Sequence, residues 1–227
     1  MNLLTEGLQR FGQSVLADDD LRPVVVVAEL LQPGCLDALL LRIYGPQLMP
    51  SRRPVLVSQW AKYYFMHVIP PVLVAALASG WHRPLKLQQV ALALDERGVP
   101  VAVKWLGEGG ACDSEPFAGL LDDNLSPFID ALSEYGHLPA AVLWSSAGDV
   151  LESCLTQCAE MSDLPLDAGW ALLSRRTRSD GRRNPLYQTI SYKAQEDGSP
   201  PRRQRRACCL SREVEWVGRC EHCPLPA

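Results

Sequence analysis

Apolar residues fall near one face over Leu3–Leu16, through Leu4, Leu8, Phe11 and Val15, and predict an amphipathic helix closed by the acidic break Asp18–Asp20. Val24–Leu31 is a continuous apolar run that suits either a buried helix or a strand. Cys35–Tyr44 has a helical period, and Pro46, Pro50 and Pro54 mark an irregular connection after it. Val55–His67 predicts a helix on which Trp60, Tyr63, Tyr64 and Phe65 cluster. Pro70 and Pro71 are expected to end it, with a second helix from Val72 to Ser79 stopped by Gly80.

Alternation takes over next. Leu87–Asp95, a turn at Glu96-Arg97-Gly98 and Val99–Leu106 read as an antiparallel hairpin. Gly107, Gly109 and Gly110 break the chain, without the Lys-Ser/Thr that a phosphate loop requires. Pro116–Tyr135 and Pro139–Met161 predict two long helices. Leu172–Arg178 and Leu186–Lys193 read as strands around a turn at Ser179-Asp180-Gly181, and Gln195–Pro201 as a polar linker. The expected fold is α+β: mainly helical, with a small antiparallel sheet and a C-terminal cysteine-rich segment. Residues 1–200 form the body, and 201–227 form a segment packed on it.

At 227 residues and 47% hydrophobic composition the chain can bury a sizeable core. The net charge of −4 gives no general attraction to nucleic acid. The distribution is uneven: Arg175–Arg219 holds 12 Lys and Arg against five Asp and Glu, so the remainder is strongly acidic. Most of the basic residues are arginines, whose fixed donor fork suits carboxylates, phosphates and anionic chelates. Any one of them alone reads as a solvated side chain. Residues 1–13 lack the basic start and apolar core of a secretory signal, and the run Val68–Ala78 is too short for a membrane span. A cytoplasmic location is the expectation, which with the Cys-x-x-Cys spacing favours thiolate ligands over disulfides.

The tail carries the chemistry. Cys208 and Cys209 are adjacent, and Cys220 and Cys223 stand two residues apart. Two soft thiolates at that second spacing can close on one tetrahedral metal. Adjacent cysteines in extended backbone point to opposite faces and need a bend to share one zinc ion. A two-iron cluster distributes four cysteine ligands over two metals, which leans toward [2Fe–2S] and leaves structural zinc open. His222 lies inside the Cys-x-x-Cys loop, but Rieske-like ligation needs two histidines, so a supporting or surface role is expected. Cys154 and Cys158, four apart on a predicted helix, read as core filler, and Cys35 and Cys112 as ordinary thiols. Trp216, between the pairs, is expected to pack over the metal and limit solvent.

Arg205-Arg206-Ala207-Cys208-Cys209 and Cys220-Glu221-His222-Cys223-Pro224 resemble the C-terminal motif of the FhuF family of ferric siderophore reductases. Ser58–Phe65 leading into Ile69–Pro71, Leu143–Leu151 and Asn184–Thr189 are similar to further family stretches, in order. The resemblance implies a [2Fe–2S] cluster held by Cys208, Cys209, Cys220 and Cys223, and one-electron reduction of ferric iron in hydroxamate-type siderophores. It makes Trp60, Tyr63, Tyr64 and Trp144, otherwise core residues, candidates for the substrate side, with Arg205 and Arg206. No flavin or nicotinamide motif is visible, so a ferredoxin or flavoprotein reductase is the expected donor. The basic face could serve an acidic donor, an anionic chelate or peripheral contact with the inner membrane. The competing classes are a zinc- or Fe–S-containing regulatory module that uses Arg202–Arg206 on nucleic acid, and a simple electron carrier.

Overall fold

The run Val24–Leu31 divides between two elements. Its first residues form the short strand β1 (Val25–Val26) and the next the helical turn α1 (Val27–Leu30), with Val27 and Leu30 buried. In this computed structural model residues 6–49, 51–111, 115–195, 198–215 and 217–226 are described. Ahead of β1 the expected amphipathic helix is a 3₁₀ segment, Glu6–Gly12, which buries Leu8 and Phe11. Val15 then leaves the helical path to bridge Val103 in extended form.

Helix α2 (Pro33–Tyr44) takes Pro33 in its first turn and buries Leu36, Leu39 and Leu40. Helix α3 (Arg53–Ser79) corrects the expected break at Pro70-Pro71: both prolines lie inside one continuous helix, which ends at Gly80 with φ 63°. The two prolines remove the hydrogen bonds to the carbonyls of Met66 and His67. Met66 is exposed and His67 half-buried, so the loss falls where water can compensate. Among the described residues α3 is the one helix long and apolar enough to cross a membrane. The bundle nevertheless surrounds it, and Trp60, Tyr64, Phe65 and Ile69 are fully buried.

Strand β2 (Trp81–His82) pairs with β5 (Gly110–Ala111). The predicted hairpin is β3 (Val90–Leu94) and β4 (Pro100–Trp105), in the sheet order β1–β3–β4, all antiparallel. Ala93 faces Ala102 and Leu94 faces Pro100, so Val101 is the extra residue of a bulge and its side chain turns outward. A π-helical stretch, Gly119–Leu125, runs into α4 (Ser126–Gly136), and α5 (Ala140–Met161) packs along α3.

The expected strand pair Leu172–Arg178 and Leu186–Lys193 is also corrected. Leu172 belongs to α6 (Asp167–Ser174), and Asn184 ties the end of that helix by donating to the carbonyls of Leu172 (2.7 Å) and Arg175 (2.8 Å). Strand β6 (Ile190–Lys193) pairs instead with β7 (Arg202–Arg205), which leads directly into the cysteines. Helices occupy about half the chain, and the sheets are small and antiparallel.

Candidate metal centre

The tail is held against α5 because α5 is bare at one position. A Cβ on Gly148 would lie 2.0 Å from Thr189 Oγ1 and 2.6 Å from Thr189 Cβ, so this glycine lets the approach to β6 press on the helix. Thr189 then becomes a hub: its carbonyl accepts from the Arg206 N–H at 2.8 Å and from Ser145 Oγ at 3.3 Å. Ser145 Oγ also receives the Ala207 N–H at 3.1 Å, one residue before Cys208.

A charged network anchors the same strand. Arg203 and Arg205 reach from β7 to Asp149 and Glu152 on α5, with Arg203 Nε 2.5 Å from Glu152 Oε2 and Arg205 Nη2 paired to Asp149 Oδ2. Tyr192 of β6 donates to Glu152, and His222 Nδ1 lies 3.0 Å from Asp149 Oδ1. His222 is thus part of the anchor. Its own carbonyl accepts the Arg205 N–H at 2.9 Å, and Cys223 O accepts from Gln204 Nε2 at 3.4 Å, which fixes the Cys-x-x-Cys loop beside β7.

From below, α3 grips the other cysteine pair. Ser58 Oγ (2.9 Å) and Gln59 Nε2 (2.7 Å) both donate to the carbonyl of Cys209, while Lys62 Nζ lies 3.2 Å from Cys209 Sγ and 2.8 Å from Gln59 Oε1. The chain bends just after the adjacent cysteines, not between them. Leu210 takes φ 63°, and its N–H turns back to Cys208 Sγ at 3.4 Å.

The four sulfurs therefore gather as two pairs. Cys209 Sγ is 3.4 Å from Cys220 Sγ, too long for a disulfide, and Cys208 lies near enough to Cys223 for that thiol to act on it. The hydrogen bond with Cys220, then the Lys62 charge and the Ser211 hydroxyl, hold the Cys209 thiol well below its usual range despite burial. A thiolate, the metal-ligating form, is thus favoured there. Burial pushes the Cys208 thiol up, and the hydrogen bond with Cys209 does the same to Cys220. Among the described residues no three His, Cys, Asp or Glu side chains converge on a single point suited to one metal ion. An iron–sulfur cluster with two cysteines on each iron fits this donor set. Arg205, whose charge acts on Cys220, also keeps its buried Nε without a partner among the described residues.

The other expected site residues divide. Trp60 and Tyr64 are fully buried in an aromatic cluster, with Tyr64 stacked on Phe128 at 3.7 Å between ring centroids, so neither offers surface to a ligand. Tyr63 is half-buried. Trp144 and Arg206 line a cavity of about 460 Å³ with Arg178, Arg182 and Arg183, and Arg205 lines a second of about 410 Å³ with Lys62. Cys154 and Cys158 share a hydrogen bond in the buried face of α5, apart from the quartet, and Cys35 is exposed. Trp216 and Cys112 lie outside the described residues. Ser58, Gln59 and Lys62 were not anticipated. Their signal is polarity: three hydrogen-bonding side chains within five positions of an otherwise apolar helix.

The architecture is thus a helical bundle with a four-thiol tail docked across it. The chain belongs to the FhuF family: the family model described as "Ferric iron reductase FhuF-like transporter" matches residues 58–198, from the first α3 residue that grips the tail to the loop before β7. It is an oxidoreductase by that membership. It is 25% identical over 215 residues to the ferric siderophore reductase of Escherichia coli K12, covering 88% of this chain and 79% of that protein. The fold is also similar to that of ATP-bound aerobactin synthetase IucA from Klebsiella pneumoniae (TM-score 0.57, 14% identity, 75% of this chain) and of synthetase IucC (TM-score 0.53, 15% identity, 76%). This chain spans 38% and 37% of those synthetases, and the likeness extends to fold alone.

Proposed function

We propose that this chain is a [2Fe–2S] ferric siderophore reductase acting on hydroxamate-type chelates and releasing Fe(II) in the cytoplasm. Cys208, Cys209, Cys220 and Cys223 hold the cluster, and residues 201–227 serve as the cluster-binding segment of the 1–200 body. The observation that carries this reading is the gathering of four free thiols in two pairs, in a chain of the FhuF family. When bound, such a cluster supplies a one-electron couple whose potential responds to hydrogen bonds at sulfur, net charge and exposure.

The surrounding residues set those conditions. Lys62 Nζ and the Leu210 N–H direct donors at Cys209 and Cys208, which favours extra negative charge at the sulfurs. Ser58 and Gln59 hold the Cys209 carbonyl and so orient the thiol. Chemically the reaction is brief. Ferric iron gains one electron, and its hard oxygen donors, unchanged in charge, hold the ferrous ion more weakly. The electron is supplied by a partner such as a ferredoxin or flavoprotein reductase, for whose acidic surface the arginine-rich side is suited.

The test is anaerobic. Protein reduced with dithionite and freed of excess reductant is mixed with ferrioxamine, and its visible absorption is followed. Reoxidation faster than in the chelate-free control is expected, with ferrous iron captured by a chromogenic chelator. Colourless protein without iron or sulfide, or reoxidation no faster than the control, overturns the proposal.

A further inference from the structure

Arg178, Arg182, Arg203 and Arg205 are each matched by a carboxylate, whereas three arginines around a neighbouring hollow are not. The hollow, about 490 Å³, shares Arg183 and Arg206 with the Trp144 cavity, and Arg176 completes its basic wall. No carboxylate lines it among the described residues. Arg176 and Arg183 are exposed, with no hydrogen bond or ion pair to their side chains among the described residues. Arg206 is met by the Tyr187 carbonyl at 3.3 Å. The backbone that carries the three is already fixed. Thr177 and Arg183 form a β-bridge, the Arg176 carbonyl accepts the Asn184 N–H at 3.0 Å, and the Arg206 N–H donates to the Thr189 carbonyl at 2.8 Å. Gln188, on the same wall, is held at φ 51°, a region that residues other than glycine enter at a cost. Three guanidinium groups thus stand on a set frame without an internal counter-charge.

Resting on the reading of this chain as a ferric siderophore reductase, we propose that the Arg176–Arg183–Arg206 surface is the dock for its electron donor, a small acidic ferredoxin-type protein, seated at the Cys208 side of the quartet. Position is one argument. Arg206 stands two residues before Cys208, a span of at most ~7 Å of chain. Cys208 is half-buried, whereas Cys209 is enclosed beneath the grip of α3. A partner held at Arg206 is therefore brought to the accessible thiol of the adjacent pair. One electron leaves the partner's reduced centre and is gained by this chain, with no bond made or broken. Charge is the second argument. The chain is −4 overall, so an acidic protein is repelled by its body and drawn to this face, which orients the encounter. Chemistry is the third. Guanidinium forks on a fixed frame suit carboxylates in fixed positions. The hollow has no exposed large apolar side chain to bury in lipid, which favours a protein over a membrane surface.

Oxidised plant-type ferredoxin, which is acidic and has no electron to give, separates docking from turnover. Titrated calorimetrically into the iron-loaded protein at low salt, it should bind the wild type, and more weakly as salt is raised. Arg176→Glu and Arg183→Glu should each weaken binding by roughly tenfold or more. Arg97→Glu, the same charge change on the exposed β3–β4 turn, should weaken it by no more than about twofold. Circular dichroism melting identifies any variant that fails to fold, and the other then decides. Equal binding by a folded Arg176 or Arg183 variant, an equal loss from Arg97→Glu, or no binding by the wild type overturns the dock. Variants that keep the ferredoxin but no longer sediment with phosphatidylglycerol vesicles also overturn it, and give the surface to a membrane. Ferredoxin bound through these arginines, in a protein that ferrioxamine fails to reoxidise once reduced, leaves the dock standing and overturns the reductase reading.

Discussion

Two arginine–carboxylate networks lie on either side of the tail, and they are built to different ends. Asp149, Glu152, Arg203 and Arg205 are enclosed between α5 and β7, with side-chain exposures of 4–15%. Asp122, Arg178 and Arg182 line the rim of the cavity at Trp144, with Asp180 paired to both arginines; of the four only Arg178, at 5%, is buried, and Arg182 reaches 59%. The enclosed network is a clamp. Its charges are already desolvated, so each must keep its partner. The rim network bridges the π-helical stretch to the loop after α6, in contact with solvent.

The largest expected effect comes from breaking the clamp. Asp149→Ala leaves Arg205 and Arg203 short of a buried counter-charge and should cost about 3–5 kcal/mol in urea unfolding, with loss of bound iron. A cost under ~1 kcal/mol, typical of a surface pair, would mean that the two networks do not differ.

Gly148→Ala should come next. Overpacking here forces Thr189 off the helix, at about 1–3 kcal/mol. A Thr189→Gly change in the same chain should recover part of that loss, because the two residues share one contact. Strict additivity in the double mutant would show that the close approach does not carry the effect.

The rim network is expected to show itself through pH. The hydrogen bond from Arg178, then that from Arg182, holds the Asp122 carboxyl below its ordinary value of 3.8. A carboxyl depressed in the folded state contributes stability that is fully present above pH 3.8 and is lost as pH falls through the folded value. Asp122→Asn should therefore flatten the acid limb of the urea midpoint against pH. Identical slopes in wild type and variant below about pH 4 would remove Asp122 from the account.

Of the clamp the sequence marked Arg205 and the stretch Leu143–Leu151, and of the grip nothing. The cysteines and the stretches Leu143–Leu151 and Asn184–Thr189 stand out because each motif is local, whereas Glu152 lies beyond any of them. The hold of Ser58, Gln59 and Lys62 on Cys209 spans some 150 residues, and no spacing rule connects them. What the sequence does show is polarity on an apolar helix, and the neighbouring aromatics drew attention away from it. Trp60 and Tyr64 instead build the core against Phe128. Prolines misled for a physical reason, since tertiary packing overrode a local preference that costs about 3 kcal/mol in a helix interior. The predicted strand Leu172–Arg178 failed because its apolar pair suits a helix equally well, and the partner of β6 was the tail itself.

Arg206 belongs to neither network, which makes it the finest test of their difference. It is exposed, its side-chain hydrogen bond is to the Tyr187 carbonyl, and it stands two residues before Cys208. A cation beside the thiolates favours their more electron-rich state, so Arg206→Ala should lower the midpoint potential of the iron-loaded protein in film voltammetry. Solvent limits the size. With a Debye length of about 8 Å at physiological salt, the shift should stay below the ~59 mV that marks a tenfold change for a one-electron couple. It should also shrink further as salt is raised, unlike the loss from Asp149→Ala, whose charges are out of reach of the ions. No shift, or a rise, at low salt would exclude Arg206 from tuning the site and leave that role to Lys62 beneath the tail and Arg205 within it.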